Sequence, residues 1–418
     1  MKASESNPNY PSKVREMTNY TIREIKKVCK DIGPRPSGEE NERKAQDYVA
    51  DSMSKVADSV VKEKFELHPK AFMGWVPLDV ILMTISVILT LLSYFDVLPS
   101  ASTAFSVVSV VLTSLAIIFT FFEFLLYKKF LDPFFPKRET YNVVCTRKAA
   151  GETKRRIVFS GHIDSAYEWY FTHLGGKLLT TMIALAFGAI AITLAASIVS
   201  FFDVPNGVRV TAIVVLFVCL IPILMCSMFV NWKLCVPGAN DNLTGVFASM
   251  SVLRYMAAND IRFENTEVVC VSMACEEAGL RGAKEYVKKH CGEDDVETVF
   301  VGTDTLRDFD DMGVYNKDMT GTVKLDKQAA AMVKHASDIA GYNLPYSSVF
   351  FGSSDAAAIQ QGGMKAVALA AMDPTPARYY HTRGDTADNL DPKTIEAGIN
   401  ILLETAFLYD SEGLKDEY

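Results

Sequence analysis

The segment Ser160-Gly161-His162-Ile163-Asp164-Ser165 decides how this chain is read: it sets a histidine and an aspartate two residues apart directly after the apolar run Ile157–Phe159. Such residues at the end of a β-rich run mark a strand whose last side chains carry chemistry. Four more segments have the same character: 237–245 (PGANDNLTG), 274–282 (ACEEAGLRG), 301–305 (VGTDT) and 379–385 (YYHTRGD). Together they supply His162, Asp164, Asp241, Glu276, Glu277, Asp304 and His381. Two imidazoles and several carboxylates, with no thiolate among them, describe a site for hard-to-borderline divalent metals that keep a position open for water. That donor set points to hydrolysis.

Outward from this segment, short β-rich runs alternate with helical patterns, the signature of a mostly parallel central sheet flanked by helices. Ile157–Phe159, Glu267–Val271, Thr298–Val301 and Ala366–Leu369 are the expected central strands. His162 follows the first, Glu276 and Glu277 the second, and Asp304 the third, so the donors gather at the carboxyl edge, where open α/β sheets place ligands. Leu243, Val246, Phe247, Met250 and Leu253 repeat with helical period over Asn242–Ala258. Asp391-Pro392 reads as an N-cap followed by proline at the first helical position, opening the last helix. Residues 1–12 are expected to be a loose tail.

The composition, 49% hydrophobic in 418 residues, is high because apolar residues concentrate in a few runs. Val97–Phe122, Leu178–Phe202 and Val210–Trp232 carry no charge, and each is long enough to cross a hydrocarbon layer of about 30 Å. Val80–Phe95 is shorter and reads as a fourth span, with Asp79 and Asp96 at its edges. Buried core helices are the competing reading, weakened by the presence of four such runs in one chain. The spans form two hairpins. The expected organisation is a discontinuous catalytic domain, 1–75, 128–177 and 233–418, interrupted by hairpins at 76–127 and 178–232.

Each hairpin enters and leaves on one side, so the remaining ~310 residues, a reasonable size for one α/β domain, share a compartment. Lys62, Lys64, Lys70, Lys128, Lys129, Lys137, Arg138, Lys177 and Lys233 flank the spans on that side, against Arg209 alone at the turns. The positive-inside rule then makes this an integral, multi-pass membrane protein with its catalytic domain in the cytoplasm. Met1–Tyr20 is polar and lacks the apolar centre of a cleavable signal peptide. The eight cysteines show no paired spacing and are expected to be free thiols. A net charge of −8 disfavours nucleic acid as a partner and leaves the lipid bilayer to explain the basic flanks.

These motifs, in this order, resemble family M28 of the zinc metallopeptidases, the co-catalytic aminopeptidase type. The likeness extends to Ile32-Gly33-Pro34-Arg35-Pro36-Ser37-Gly38, similar to the family's entry motif, and to Asn142-Val143-Val144, similar to its first core strand. Ser354-Asp355 and the run Gly362–Val367 resemble its late strand, and about three quarters of the chain is covered. The resemblance implies two zinc ions held about 3.5–4 Å apart by a shared carboxylate, with a water or hydroxide between them as nucleophile. By carry-over, Asp241 bridges, His162 and Asp304 complete one metal, and Glu277 and His381 complete the other. Asp164 would hold the His162 imidazole in its tautomer. Glu276 would be general base and then general acid, and Tyr380 would face the developing oxyanion.

The chain departs from the family pattern at Ala356, Ala283 and Ser353, which bear on substrate recognition rather than on the metal ligands. The second hairpin also fills a gap, between His162 and Asp241, that the family keeps short. A hairpin returns to its entry side, so this insertion costs little in loop closure and is expected to bring the active edge of the sheet close to the bilayer. The implied activity is peptide-bond hydrolysis from a polypeptide terminus. A glutaminyl-cyclase-like acyltransferase, which shares this scaffold but uses one zinc, and a non-catalytic membrane receptor or scaffold are the alternatives.

Overall fold

The computed structural model describes residues 2–375 and 377–418. The chain divides into two compact units, one of residues 1–69, 137–167 and 234–418 and one of residues 70–136 and 168–233.

The first unit is built on a nine-stranded sheet. Its strands are β1 (Ser59–Leu67), β2 (Arg138–Arg147), β3 (Arg155–His162), β6 (Thr266–Met273), β7 (Glu297–Leu306), β8 (Met312–Asp318), β9 (Val323–Lys324), β10 (Tyr346–Ser348) and β11 (Lys365–Ala371). A separate two-stranded sheet pairs β4 (Tyr167–Trp169) with β5 (Val230–Cys235) at the ends of the second hairpin. The large sheet runs β1-β2-β6-β3-β7-β11-β8-β10, with β9 paired to β8. β6, β3, β7 and β11 form a parallel core and contain all four expected central strands. β1, β2, β8 and β9 join antiparallel, so the sheet is mixed around its parallel core.

The core strands are buried on both faces, which is why they read as unbroken apolar runs. Side chains alternate along each strand. Ile157, Phe159, Val268, Cys270, Val299 and Val301 enter the main cluster with helices 10–31, 244–258 and 392–412. Phe300 faces the other way, 6.3 Å from the ring of Tyr286 in helix 281–290. The amino terminus is not a loose tail. The backbone amides of Ala3 and Ser4 donate to Glu404, and the Tyr10 hydroxyl donates to Asn400, which ties the first residues to the last helix.

Two glycines set the approach of strand and helix beneath the site. A Cβ on Gly161 would lie 2.3 Å from the backbone of Gly245, and one on Gly245 would lie 2.2 Å from the carbonyl oxygen of Thr303. Any larger residue at either position would push the loop before helix 244–258 away from β3 and β7.

The second unit contains four helices long and apolar enough to cross a membrane: Ala71–Tyr94, Pro99–Leu125, Gly176–Val199 and Asn206–Met228. The first is longer than the run Val80–Phe95 indicates. Pro77 lies inside it, near enough to its start that only the bond to the Met73 carbonyl is lost. Asp79 therefore sits within the helix rather than at an edge. Val230–Trp232, read as the end of the fourth span, is part of β5. Hydroxyls join the helices: Ser86 meets Ser109 and Thr113 at 2.6 Å each, and Thr90 meets Ser197 at 2.8 Å. Ile81, Val107, Val111, Phe187, Val218 and Ile221 are exposed on the outside of this unit, which is costly in water. All eight cysteines are free.

Candidate metal centre

β3 ends on His162, and the strand-to-loop step carries Asp164 two residues on. Glu276 and Glu277 follow the end of β6 by three and four residues. Asp304 lies within β7 rather than after it, near its carboxyl end. Asp241 stands in the loop before helix 244–258, where the Asp241–Asn242 peptide is cis. His381 comes from the loop after β11. Residues far apart in sequence thus meet at one edge of the sheet.

The centre of the arrangement is the Asp241 carboxylate. Its Oδ1 lies 3.1 Å from His162 Nε2, and its Oδ2 lies 3.2 Å from His381 Nε2. His381 Nε2 is also 3.2 Å from Glu277 Oε1, and His162 Nε2 is 4.0 Å from Asp304 Oδ1. His162, Asp241 and Asp304 offer one ligand atom each, all within 4.8 Å of one another, as do Asp241, Glu277 and His381. His162, Glu276 and Glu277 satisfy the same limit, but Glu276 Oε2 is 3.9 Å from His162 Nε2, farther than Asp241.

Asp164 does more than face His162. Its Oδ1 is 3.4 Å from His162 Nδ1, a loose contact, whereas its two oxygens accept from the backbone amides of Glu276 and Glu277 at 3.1 Å each. The Ser37 hydroxyl donates to it at 2.6 Å. Asp164 therefore fixes the two glutamates by their backbone and ties them to the entry motif. Tyr380 lies with its ring stacked on His381, centroids 3.9 Å apart.

Three buried groups organise the loops, and sequence reading assigned none of them a role. Asp385 accepts from the backbone and side-chain nitrogens of Asn240 and from the backbone amide of Asp241. Asn242 donates to the Thr303 carbonyl while its oxygen accepts from Gly245 and Thr305. Arg35 is fully buried and donates to the carbonyls of Gly33, Ile163, Pro237 and Gly238, locking the entry motif against the loops that carry His162 and Asp241. Its removal leaves several buried acceptors without donors. Arg35→Met is expected to destabilise the first unit by about 3 kcal/mol or more, a fall in Tm of roughly 5–10 °C by differential scanning fluorimetry. An unchanged Tm would show that the guanidinium does not hold these loops.

Backbone strain is concentrated here. Cys275, Leu280, Thr305 and His381, none of them glycine, have φ of 57°, 62°, 47° and 52°. Each left-handed residue costs on the order of 1 kcal/mol, and such costs persist where surrounding structure dictates the conformation.

The electrostatics are those of a site short of positive charge. Burial raises the Glu276 carboxyl well above the usual range, with Glu277, Asp355 and Asp304 adding to it against the opposing pull of His162. Burial and then Asp241 raise Asp304 to about 7, and burial likewise raises Asp355 and Asp385 to about 7. Burial opposes charging His381, yet Glu277 and Asp241 outweigh it and raise the imidazole to about 10. Two imidazoles do not neutralise this many buried carboxyls. The nitrogen and oxygen donors, without sulfur, and the two ligand groups that share Asp241 fit divalent cations such as zinc.

Residues 226–406 match peptidase family M28, a range that includes Asp241, Glu276, Glu277, Asp304, Tyr380 and His381 but starts after His162 and Asp164. No curated protein matches the sequence. Among solved structures, an aminopeptidase from Aneurinibacillus sp. strain AM-1 is similar at a TM-score of 0.53 and 14% identity, covering 94% of this chain and 93% of its own. A zinc aminopeptidase from Bacillus subtilis is similar at 0.53 and 12%, covering 94% of each. A glutaminyl cyclase from Fimbriiglobus ruber is similar at 0.54 and 13%, covering 94% and 95%. The match to family M28 thus covers residues 226–406, and the fold is shared with these three structures over nearly the whole chain.

Proposed function

We propose that this protein is a membrane-embedded, zinc-dependent metallopeptidase of the aminopeptidase type, acting on peptides or polypeptide ends on the cytoplasmic side of the membrane. The observation that carries the reading is the Asp241 carboxylate, whose two oxygens face two imidazoles, His162 and His381, at 3.1 and 3.2 Å. His162, Asp241 and Asp304 would hold one ion, and Asp241, Glu277 and His381 the other. Zinc, when bound, supplies Lewis acidity toward the scissile carbonyl and lowers the pKa of water. Glu276 takes a proton from the attacking water as the new carbon–oxygen bond forms. It returns that proton to the nitrogen of the leaving amine as the carbon–nitrogen bond breaks. Asp164 keeps Glu276 and Glu277 in place through their amides, and the Tyr380 hydroxyl is assigned to the developing oxyanion.

The test combines elemental analysis with a panel of amino-terminal and carboxy-terminal peptide substrates. The expected result is two zinc ions per chain and release of amino-terminal residues, abolished by chelation and restored by zinc. One ion per chain, with ammonia released from amino-terminal glutamine and no peptide cleavage, would instead establish the cyclase reading that the Fimbriiglobus neighbour favours.

Topology is tested separately. With both hairpins crossing the bilayer and their basic flanks in the cytoplasm, single cysteines at Ser100 and Asn206, in a background without native cysteines, react with an impermeant thiol reagent on intact cells. A cysteine at Lys317 reacts only after permeabilisation. Labelling of Lys317→Cys in sealed cells would reverse the orientation, and no labelling at either turn would argue against spanning hairpins.

A further inference from the structure

The four backbone amides that follow β6, Ala274 to Glu277, all donate to side-chain oxygens. Asn142 accepts from Ala274 at 2.9 Å, Glu42 from Cys275 at 2.9 Å, and the two oxygens of Asp164 from Glu276 and Glu277. Glu42 has no part in the chemistry described above, yet it is fully buried, in the helix Glu40–Met53, and lies 233 residues from Cys275 in sequence. Its Oε1 takes both the amide and the thiol of Cys275, the latter at 3.1 Å. Its Oε2 accepts from the Gly38 amide at 2.9 Å and from the Thr140 hydroxyl at 2.6 Å. Cys275 is one of the left-handed residues, with φ of 57°, a conformation that a residue with a Cβ keeps only where its surroundings dictate it. The two bonds that flank this turn run from its own amide to Glu42 and from the next amide to Asp164.

We propose that Glu42 is a positioning residue for Glu276. It holds Cys275 in the turn out of β6 and so sets the direction in which the next side chain, the general base, leaves the backbone; the proposal rests on the peptidase reading, which gives Glu276 that role. The contact calls for a carboxyl. Backbone N–H groups can only donate, and Gly38 and Cys275 present one to each oxygen, so both oxygens have to accept. Glutamine has one oxygen, and whichever way it turns, its amino group meets a backbone N–H. A shift of about 1 Å at a reacting group costs about a hundredfold in rate. With the Glu276 amide still held by Asp164, a smaller shift is expected, and a loss of about tenfold. Anchoring the helix to the sheet is the competing role for Glu42, and Gln46 measures it. One turn further along the same helix, Gln46 is as buried and donates to the Ser272 carbonyl of β6 at 2.9 Å, upstream of the turn.

The experiment measures kcat, KM, zinc content and backbone hydrogen exchange on the full-length protein. Glu42→Gln is expected to lower kcat about tenfold, with KM within about twofold and zinc content unchanged, and to speed exchange at the Cys275 amide about tenfold. The same change made in a Glu276→Gln background should cost nothing further, because the group being aimed is already disabled. Gln46→Leu should leave kcat and exchange at Cys275 as in the wild type. An equal loss in both backgrounds, or a loss in Gln46→Leu that matches Glu42→Gln, would overturn the proposal and leave Glu42 as a support of the fold. Should Glu42→Gln fail to fold, Thr140→Val removes one bond to the carboxyl at constant side-chain shape. The same cycle is then expected to show a loss of about threefold that vanishes in the second background, and a loss that persists there, or no loss at all, overturns the proposal. Unchanged exchange at Cys275 in Glu42→Gln refutes the hold on the turn whatever the activity. A wild-type protein that cleaves no peptide refutes the peptidase reading instead, and exchange, which needs no turnover, still reads the hold.

Discussion

Glu276→Gln is expected to keep both metals and the fold while lowering kcat by about three orders of magnitude, within the range that a positioned general base contributes. The amide is nearly isosteric with the carboxylate but cannot accept a proton. Without metal, burial and the neighbouring carboxyls raise the Glu276 carboxyl above the usual range. Glu277→Gln should behave differently. Its Oε1 lies 3.2 Å from His381 Nε2, inside a ligand group, so the amide should weaken metal retention first and activity as a consequence. Turnover and metal content measured on the same preparations separate the two, and equal metal loss in both variants would reverse or erase the assignment.

Asp241→Ala should have the larger effect on the metals. It is the one residue common to both ligand groups that include an imidazole and Asp304 or His381, and its removal leaves His162 and His381 with no shared carboxylate. Loss of both ions is expected after dialysis, with activity at background. Asp304→Ala, affecting one group only, should leave one ion tightly held. If Asp241→Ala still retained two ions, the bridging role would be refuted.

The residues that meet at the sheet edge were legible because most sit in a short local pattern at the end of a β-rich run, and the parallel core was legible because its strands are apolar on both faces. The flanking strands were not. β10 is three residues long and exposed at the edge, and polar Asn316, Lys317 and Asp318 interrupt β8, so neither carries an apolar run, and only pairing shows that β8 lies antiparallel to β11. Asp385 was in view, four residues after His381, but an aspartate at a turn has the same sequence whether it caps a turn or accepts from the loop of Asp241. Arg35 was read as part of a motif. That it spans four carbonyls from three segments depends on contacts 128 to 203 residues away in sequence. Asp79 was misplaced because a charge within an apolar run reads as its end. Its bond to Thr120, 41 residues on, is a contact that the local sequence does not show.

The order of the donors along the chain sets the order in which the molecule can be assembled. His162 precedes the second helical hairpin and Asp241 follows it, and two of the three candidate ligand groups include Asp241. The group of His162, Asp241 and Asp304 spans that hairpin and cannot close until the hairpin has turned back, whereas Asp241, Glu277 and His381 all follow it. An ion held by His162, Asp241 and Asp304 would then act as a clasp on a loop that contains two long apolar helices. On the two-ion reading, a chain whose hairpin is misrouted would keep His162 and Asp241 apart and lose that one ion, so occupancy of the His162 group would report completed hairpin placement.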